Sequence, residues 1–451
     1  MTEVEKAIKA DLSADESYKH MTFLVEKVGE RLAGTKSIEK AADYIRQELE
    51  SFGLGARIDR FPIYHSYPGS AALRVTYPED RVIETRPCCH ISSTLDEGLT
   101  GELVYAGVGG YEDYKNIEAK DKIILTDMTW APPRPEKARI AFEKKAKALI
   151  VMNWGTPDNP VIQMGAIKSV LGTSVPHSRS VPEVREFLLE VVSEVWGEKG
   201  SWDTAYKGGD QSFFGVGVPY IGFATGYTRE ELERLNWASL SPWLHSEADT
   251  IDKVDKKLFE RHLHLFATLV LRLCNSEMIP YDLSQPVGLL KSHLESLKNL
   301  SRDIESIELD SLTEKVEQLD KSVQTLNEYK RETLSYVADV EEETVRLINE
   351  VSIKMCRELS YILWTEASKY DQDAYGYYLV GKPIPRLHVP IMQMRELEQD
   401  DKEFNLWTTK FMRERNRVSD AIGNAIECLA LTTRLLEELS TTTLDPCEGC
   451  E

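Results

Sequence analysis

The chain is expected to be an α/β protein that contains a small α+β module and ends in a C-terminal all-α domain. Three observations carry this. The spacing of apolar residues changes along the chain from helical to short β runs and back. After residue 281 it becomes helical almost throughout. The 451 residues exceed one ordinary domain, and length alone suggests about three units.

At the N-terminus, residues 18–28 and then Ala41, Ala42, Ile45, Leu49 and Phe52 repeat every three to four positions. Gly53 and Gly55 stop that pattern, and residues 56–64 read as a β stretch. Residues 60–178 alternate short β-rich runs with turns. The runs start at Ala72, Gly101, Lys122 and Ala148, with one helix over about 135–147. A helix from Pro182 to Trp196 follows, with Val184, Phe187, Leu188, Val191 and Val195 on one side. Residues 218–223 read as a buried strand and 255–274 as a long helix. Beyond 281, Leu290, Leu294, Leu297, Leu300, Ile304 and Ile307 step by three and four. Leu312, Val316, Leu319, Val323 and Leu326 do the same, a coiled-coil-like seam. Pro383 to Pro390 reads as an extended linker, because each proline disfavours helix before it. A last helix is expected over about 402–439.

Composition narrows the function. Hydrophobic residues make up 42% and charged residues 29%, which fits a soluble globular chain. Lys and Arg number 54 against 75 Asp and Glu, a formal charge of −21. That sign argues against nucleic acid or an anionic membrane as partner. No run of about 18 apolar residues indicates a membrane span. Residues 1–13 are charged throughout and do not resemble a secretory signal. Seven cysteines without a framework fit a reducing cytoplasm, and Cys447 and Cys450 read as part of a frayed tail.

No phosphate-binding loop, nucleophile elbow or HExxH occurs. Gly107-Val-Gly-Gly reads as a turn. Two stretches stand out: Gly208-Gly-Asp-Gln-Ser-Phe-Phe, leading into 218–223, and His245-Ser-Glu-Ala-Asp-Thr-Ile-Asp-Lys-Val-Asp. A loop histidine near carboxylates before a helix suits a metal ligand or a base, and equally a histidine bonded to its own backbone.

These two stretches resemble the closing part of the M28 family of zinc aminopeptidases and carboxypeptidases. The runs at 101–107, 120–125 and 147–151 resemble the protease-associated insert of such enzymes. The helices after 281, with Pro383-Ile-Pro, resemble the dimerisation domain of the glutamate-carboxypeptidase and transferrin-receptor branch. The resemblance implies an α/β domain over 1–59 and 180–278, an insert over 60–179 and a helical domain over 281–451. It implies zinc as cofactor, a peptide-like substrate and a homodimer formed through 281–451. By the same resemblance His245 is the last zinc histidine, and Asp210 supports the metal centre without ligating it.

The family's other ligands and its Glu-Glu pair lie between the insert and the closing helix. Here that interval, 172–183, holds His177 but no Asp and no Glu-Glu pair. Ser201-Trp-Asp-Thr looks like a first ligand segment, but no His stands two to four residues before it. Glu230-Glu231 falls after Asp210, out of family order, and reads as a solvated helix face. Arg229 could face an anionic substrate group or simply begin a surface helix. Hydrolytic zinc needs about three or four protein ligands and a carboxylate base near its water. The first expectation is therefore a relative without M28 catalysis. Two alternatives stand: an active metallo-exopeptidase with a displaced site using His245, Asp210 and a third residue, and a non-enzymatic oligomerisation or binding protein. A sheet without its central strands also has to lean on the insert and the helices for its core.

Overall fold

The structure, a computed structural model, describes residues 3–67, 69–88, 91–129, 132, 134–152, 175–204, 213, 216–235, 249–336, 342–366 and 382–442. The chain divides into two compact units. One comprises Met1–Thr129, Lys137–Val175 and Ala224–Ala267; the other comprises Trp130–Glu136, Pro176–Phe223 and Thr268–Glu451. Among the described residues no helix is long and apolar enough to cross a membrane.

The first unit opens on α1 (Glu3–Asp11), α2 (Ala14–Thr22) and, after a π-helical turn over Phe23–Val28, α3 (Lys36–Ser51). Local chemistry sets these starts. Ser13 Oγ accepts from the Asp15 amide at 3.2 Å, and Thr35 Oγ1 accepts from the Ile38 amide at 3.3 Å. The β stretch expected over 56–64 forms no strand. It alternates charged and apolar residues, but no neighbouring strand pairs with it.

Next come β1 (Leu73–Val75) and β2 (Arg81–Ile83), an antiparallel pair, then β3 (Leu103–Tyr105), β4 (Ile123–Asp127), α4 (Arg134–Glu143) and β5 (Ala148–Met152). The last three strands form a parallel sheet in the order β3-β4-β5, with Ile123 opposite Leu103 and Ala148. Ile124, Ile140, Ala141, Ala106 and Tyr114 bury one small core. The expected runs are thus strands, joined through a parallel crossover that needs a helix such as α4. The Gly107–Gly110 stretch is a turn, as read. Gly107 and Gly109 take φ of 46° and 75°, and Asp113 Oδ2 accepts from the Gly110 amide at 2.9 Å.

In the second unit, β6 (Val175–Ser180) leads through a 3₁₀ turn (Pro182–Val184) into α5 (Arg185–Trp196) and β7 (Ser201–Thr204). With β8 (Ile221–Gly226) they give a three-stranded sheet in the order β7-β6-β8. The strand expected at 218–223 therefore begins at Ile221, and it is half-buried rather than fully buried. To the first unit belong α6 (Arg229–Arg234) and the start of α7 (Lys256–Cys274), which begins on Asp255, whose Oδ1 accepts from the amides of Lys257 and Leu258 at 2.8 and 3.0 Å.

The C-terminal helices are α8 (Ser284–Leu300), α9 (Asp310–Tyr336), α10 (Glu342–Trp364), α11 (Pro385–Arg395) and α12 (Lys402–Thr442). The seam read on α8 and α9 is internal. Leu290, Leu297, Leu312, Val316, Leu319, Val323 and Leu326 are buried in one cluster with α10, α11 and α12. Helix α12 is the hub and packs against α9, α10 and α11 through Val418, Ala421, Ile422, Ala425 and Leu429. Val181 and Val184, from the turn before α5, join this cluster.

The expected linker over 383–390 is corrected: Pro385–Arg395 is helical. Pro385 lies in the first turn, where its missing N–H is no loss. Pro390 lies inside the helix and removes one backbone bond to Arg386. Ile384, at φ 40°, is held in that strained conformation by complete burial.

Candidate functional site

Strands β6 and β7 bring together side chains that are 24 residues apart. Alternation on β6 buries Pro176, Ser178 and Ser180 and leaves His177 and Arg179 on the opposite face. The parallel register sets His177 against Ser201 and Arg179 against Asp203. The result is a polar cluster on one face. His177 Nδ1 and Ser201 Oγ lie 2.8 Å apart, His177 Nε2 is 3.5 Å from Asp203 Oδ2, and an Arg179 guanidinium nitrogen is 4.0 Å from the same oxygen. On the other face Trp202 Nε1 donates to Ser180 Oγ at 3.1 Å, and the Arg185 guanidinium stacks 4.7 Å above the Trp202 ring.

Gly200 makes this approach feasible. Its φ is 66°, and a Cβ built on it would lie 2.2 Å from the Pro176 carbonyl oxygen. Gly200→Ala is expected to cost about 2–4 kcal/mol, from the left-handed conformation and the backbone clash. It should also speed amide exchange across 177–180. A wild-type melting temperature in that variant would show that the strands are not held by this contact.

The cluster holds two groups that can ligate a metal, His177 and Asp203, with Ser201 as the hydrogen-bond partner that would orient the imidazole. Zinc needs three or four ligands, and Arg179 adds a repelling charge beside Asp203. Among the described residues no group of three or more His, Cys, Asp or Glu could hold a metal ion. The described residues therefore do not fit a hydrolytic zinc centre.

His245 and Asp210, the metal residues expected from the sequence, both lie outside the described residues. The rest of the closing stretch is described from Asp249 onward. Burial raises the Asp249 carboxyl above the usual range, against the pull of Lys253. Tyr18 Oη donates to the Ile251 carbonyl at 3.3 Å, and Lys256 sits 3.5 Å from Asp15 and 4.2 Å over the Tyr18 ring. These contacts dock the start of α7 on α2. Glu231 is not catalytic in posture: its carboxylate accepts from the Thr228 amide at 2.8 Å, completing a capping box for α6. Arg229 is exposed and pairs with Glu233 at 3.1 Å, so it is a helix-start residue.

Other functional groups are buried where spacing gave no sign. Lys137 is fully buried in the first unit; its Nζ donates to Thr129 Oγ1 at 2.6 Å and to the Val108 carbonyl. Desolvation lowers its pKa to about 8, against the attraction of Asp113 and Asp127. Glu183 is buried in the second unit. The only signal for it was a carboxylate enclosed in Val-Pro-Glu-Val.

The chain resembles the M28-type aminopeptidases. It is 31% identical over 143 residues to aminopeptidase YwaD of Bacillus subtilis (strain 168). The match covers 31% of this chain and 29% of that protein, less than a third of the relative's length. Among solved structures, BSAP, a zinc aminopeptidase from Bacillus subtilis, superposes with a TM-score of 0.41 at 16% identity, over 58% of this chain and 95% of that one. The aminopeptidase from Aneurinibacillus sp. strain AM-1 gives 0.41 at 15% identity, over 59% and 95%. No family model matches the chain.

Proposed function

We propose that this chain is an M28-type exopeptidase relative that does not hydrolyse peptides as it stands. One observation carries the reading. The interval 172–183, where the family's ligands and Glu-Glu pair belong, holds a single histidine, no aspartate and no Glu-Glu pair. Without enough ligands to hold a metal and its water, and without a carboxylate to take that water's proton, the hydrolytic step lacks both its nucleophile and its base. In this reading His245 and Asp210 are survivors of the lost centre, residues 60–179 are a protease-associated insert, and the protein works in a reducing compartment.

Zinc analysis with an aminoacyl-nitroanilide assay tests the reading. The expected result is less than about one tenth of a zinc per chain, a value that leaves no occupied site, with hydrolysis at the blank rate. One tightly held zinc with turnover would overturn it. A competitor is an active metallo-exopeptidase with a displaced metal site using His245, Asp210 and a third residue; if that is right, His245→Ala abolishes turnover. Homodimer formation through 281–451 belongs to the proposal too. Because the α8–α9 seam is internal, pairing must use other surfaces, and solution mass measurement reads it directly.

A further inference from the structure

We infer that Glu183 is a proton-operated latch: its neutral carboxyl fastens the 3₁₀ turn that precedes α5 onto the helical core, and loss of that proton releases the turn. The geometry comes first. Glu183 is 6% exposed and lies between Val181 and Val184, both members of the cluster that contains Leu283, Val287, Met355, Cys356 and Leu359. Its own carbonyl accepts from the Asp282 amide at 2.9 Å, and the Val181 amide donates to the Tyr220 carbonyl at 3.1 Å. Backbone ties therefore hold the turn on both sides and keep the side chain buried.

The groups facing the carboxyl are neutral. From α10 comes the fully buried thiol of Cys356, hydrogen-bonded to Glu183. From the segment before α8 comes the Tyr281 phenol. The nearby cations act elsewhere. Arg357 acts on Tyr281, and Lys330 of α9 acts on Asp282. Asp282 itself caps the start of α8 by accepting from the Ser284 amide at 3.0 Å. On the turn's own helix, Arg185 stacks on Trp202 and lies 3.7 Å from Glu186. Among the described residues no basic side chain forms an ion pair with Glu183. An ionised carboxylate in that shell would be desolvated and uncompensated, which is costly.

Burial accordingly raises the Glu183 carboxyl to about 7, opposed weakly by hydrogen bonds. It also raises the Cys356 thiol and the Tyr281 phenol, so both neighbours stay neutral where the carboxyl titrates. The sign follows from linkage. The docked state binds the proton more tightly than the released state, in which the carboxyl titrates near its ordinary 4.5. Docking is complete below about pH 4.5, weakens as pH rises toward 7 and stays weakened above it.

Cys356 serves as a built-in reporter, because it reacts only when the turn lifts. Full-length protein and the variant Glu183→Gln are alkylated at pH 6 and pH 8, and Cys356 modification is read at peptide level and corrected for thiol ionisation. The opening equilibrium of the native protein is expected to rise about tenfold over that interval, with no rise in the Gln variant. The same native protein should show a protonated-carboxyl band in the infrared that titrates near pH 7, a readout that needs no variant. Equal Cys356 protection of the native protein at both pH values would overturn the latch. So would the same pH dependence in Glu183→Gln, or the absence of a carboxyl band titrating near neutrality.

Discussion

Replacing Glu414 by Ala is expected to destabilise the helical unit by about 3–5 kcal/mol, because it strands a buried charge. Arg386 on α11 and Glu414 on α12 form an ion pair of 2.8 Å, and the two side chains are 5% and 8% exposed. Arg386 is further held by its Nε donating to the Tyr361 carbonyl at 3.4 Å and by a stack 5.2 Å over the Tyr361 ring. The second oxygen of Glu414 accepts from Arg417. Removing the carboxylate takes away the charge that compensates a buried guanidinium. Removing both charges is different, since the Coulomb gain and the desolvation cost leave together. The pair Arg386→Met with Glu414→Leu should therefore recover most of the stability lost by Glu414→Ala. Urea unfolding of the three proteins measures this. A double variant no more stable than the single one would show that the pair contributes net attraction well beyond its desolvation cost.

Acidification from pH 7 to pH 4 is expected to cost the helical unit about 2–3 kcal/mol for each of two histidines, His388 buried and His293 half-buried. Burial lowers both His293 and His388 from 6.5 to about 4, and Lys382 adds to the effect on His388. The Ile384 amide donates to His293 Nδ1 at 3.4 Å, whereas His388 Nδ1 is buried without a hydrogen bond. Because the folded values are depressed, the stability is fully present above about pH 6.5 and is lost as pH falls through about 4. Glu183 acts in the opposite direction between 4.5 and 7, so the net slope is smaller than the two histidines alone would give. His388→Leu removes one titration and fills the same apolar space without abandoning a hydrogen-bond partner. It should remove roughly half of the histidine-driven loss on a melting-temperature profile from pH 7 to pH 4. A profile identical to that of the native protein would mean that His388 charges without opening the core.

Much of the fold was legible in residue order. The periodicity of Leu312, Val316, Leu319, Val323 and Leu326 forecast both a helix and its buried face, because apolar side chains at helical spacing have only one way to leave water together. The runs at 103–105, 123–127 and 148–152 were legible as short stretches of β-branched and apolar residues bounded by turns. Pro383–Pro390 misled, because proline's local veto on helix is weaker than the burial of Ile384, Leu387 and Ile391 around it. Residues 56–64 misled in the other direction: β propensity without a partner strand makes no sheet.

The candidate site divides along the same line. That one histidine, no aspartate and no Glu-Glu pair stand between 172 and 183 is a property of residue order alone, and it limits the chemistry before any folding is considered. The nearness of His177 to Ser201 and Asp203 belongs to strand pairing and to a left-handed glycine against Pro176. So does the neutrality of the shell around Glu183, which α10 and the segment before α8 supply from more than 90 residues away. Local spacing carries short-range preference. The desolvation and pairing that set the charge states of His388, Lys137 and Glu183 are summed over distant neighbours, and these meet only in the folded chain.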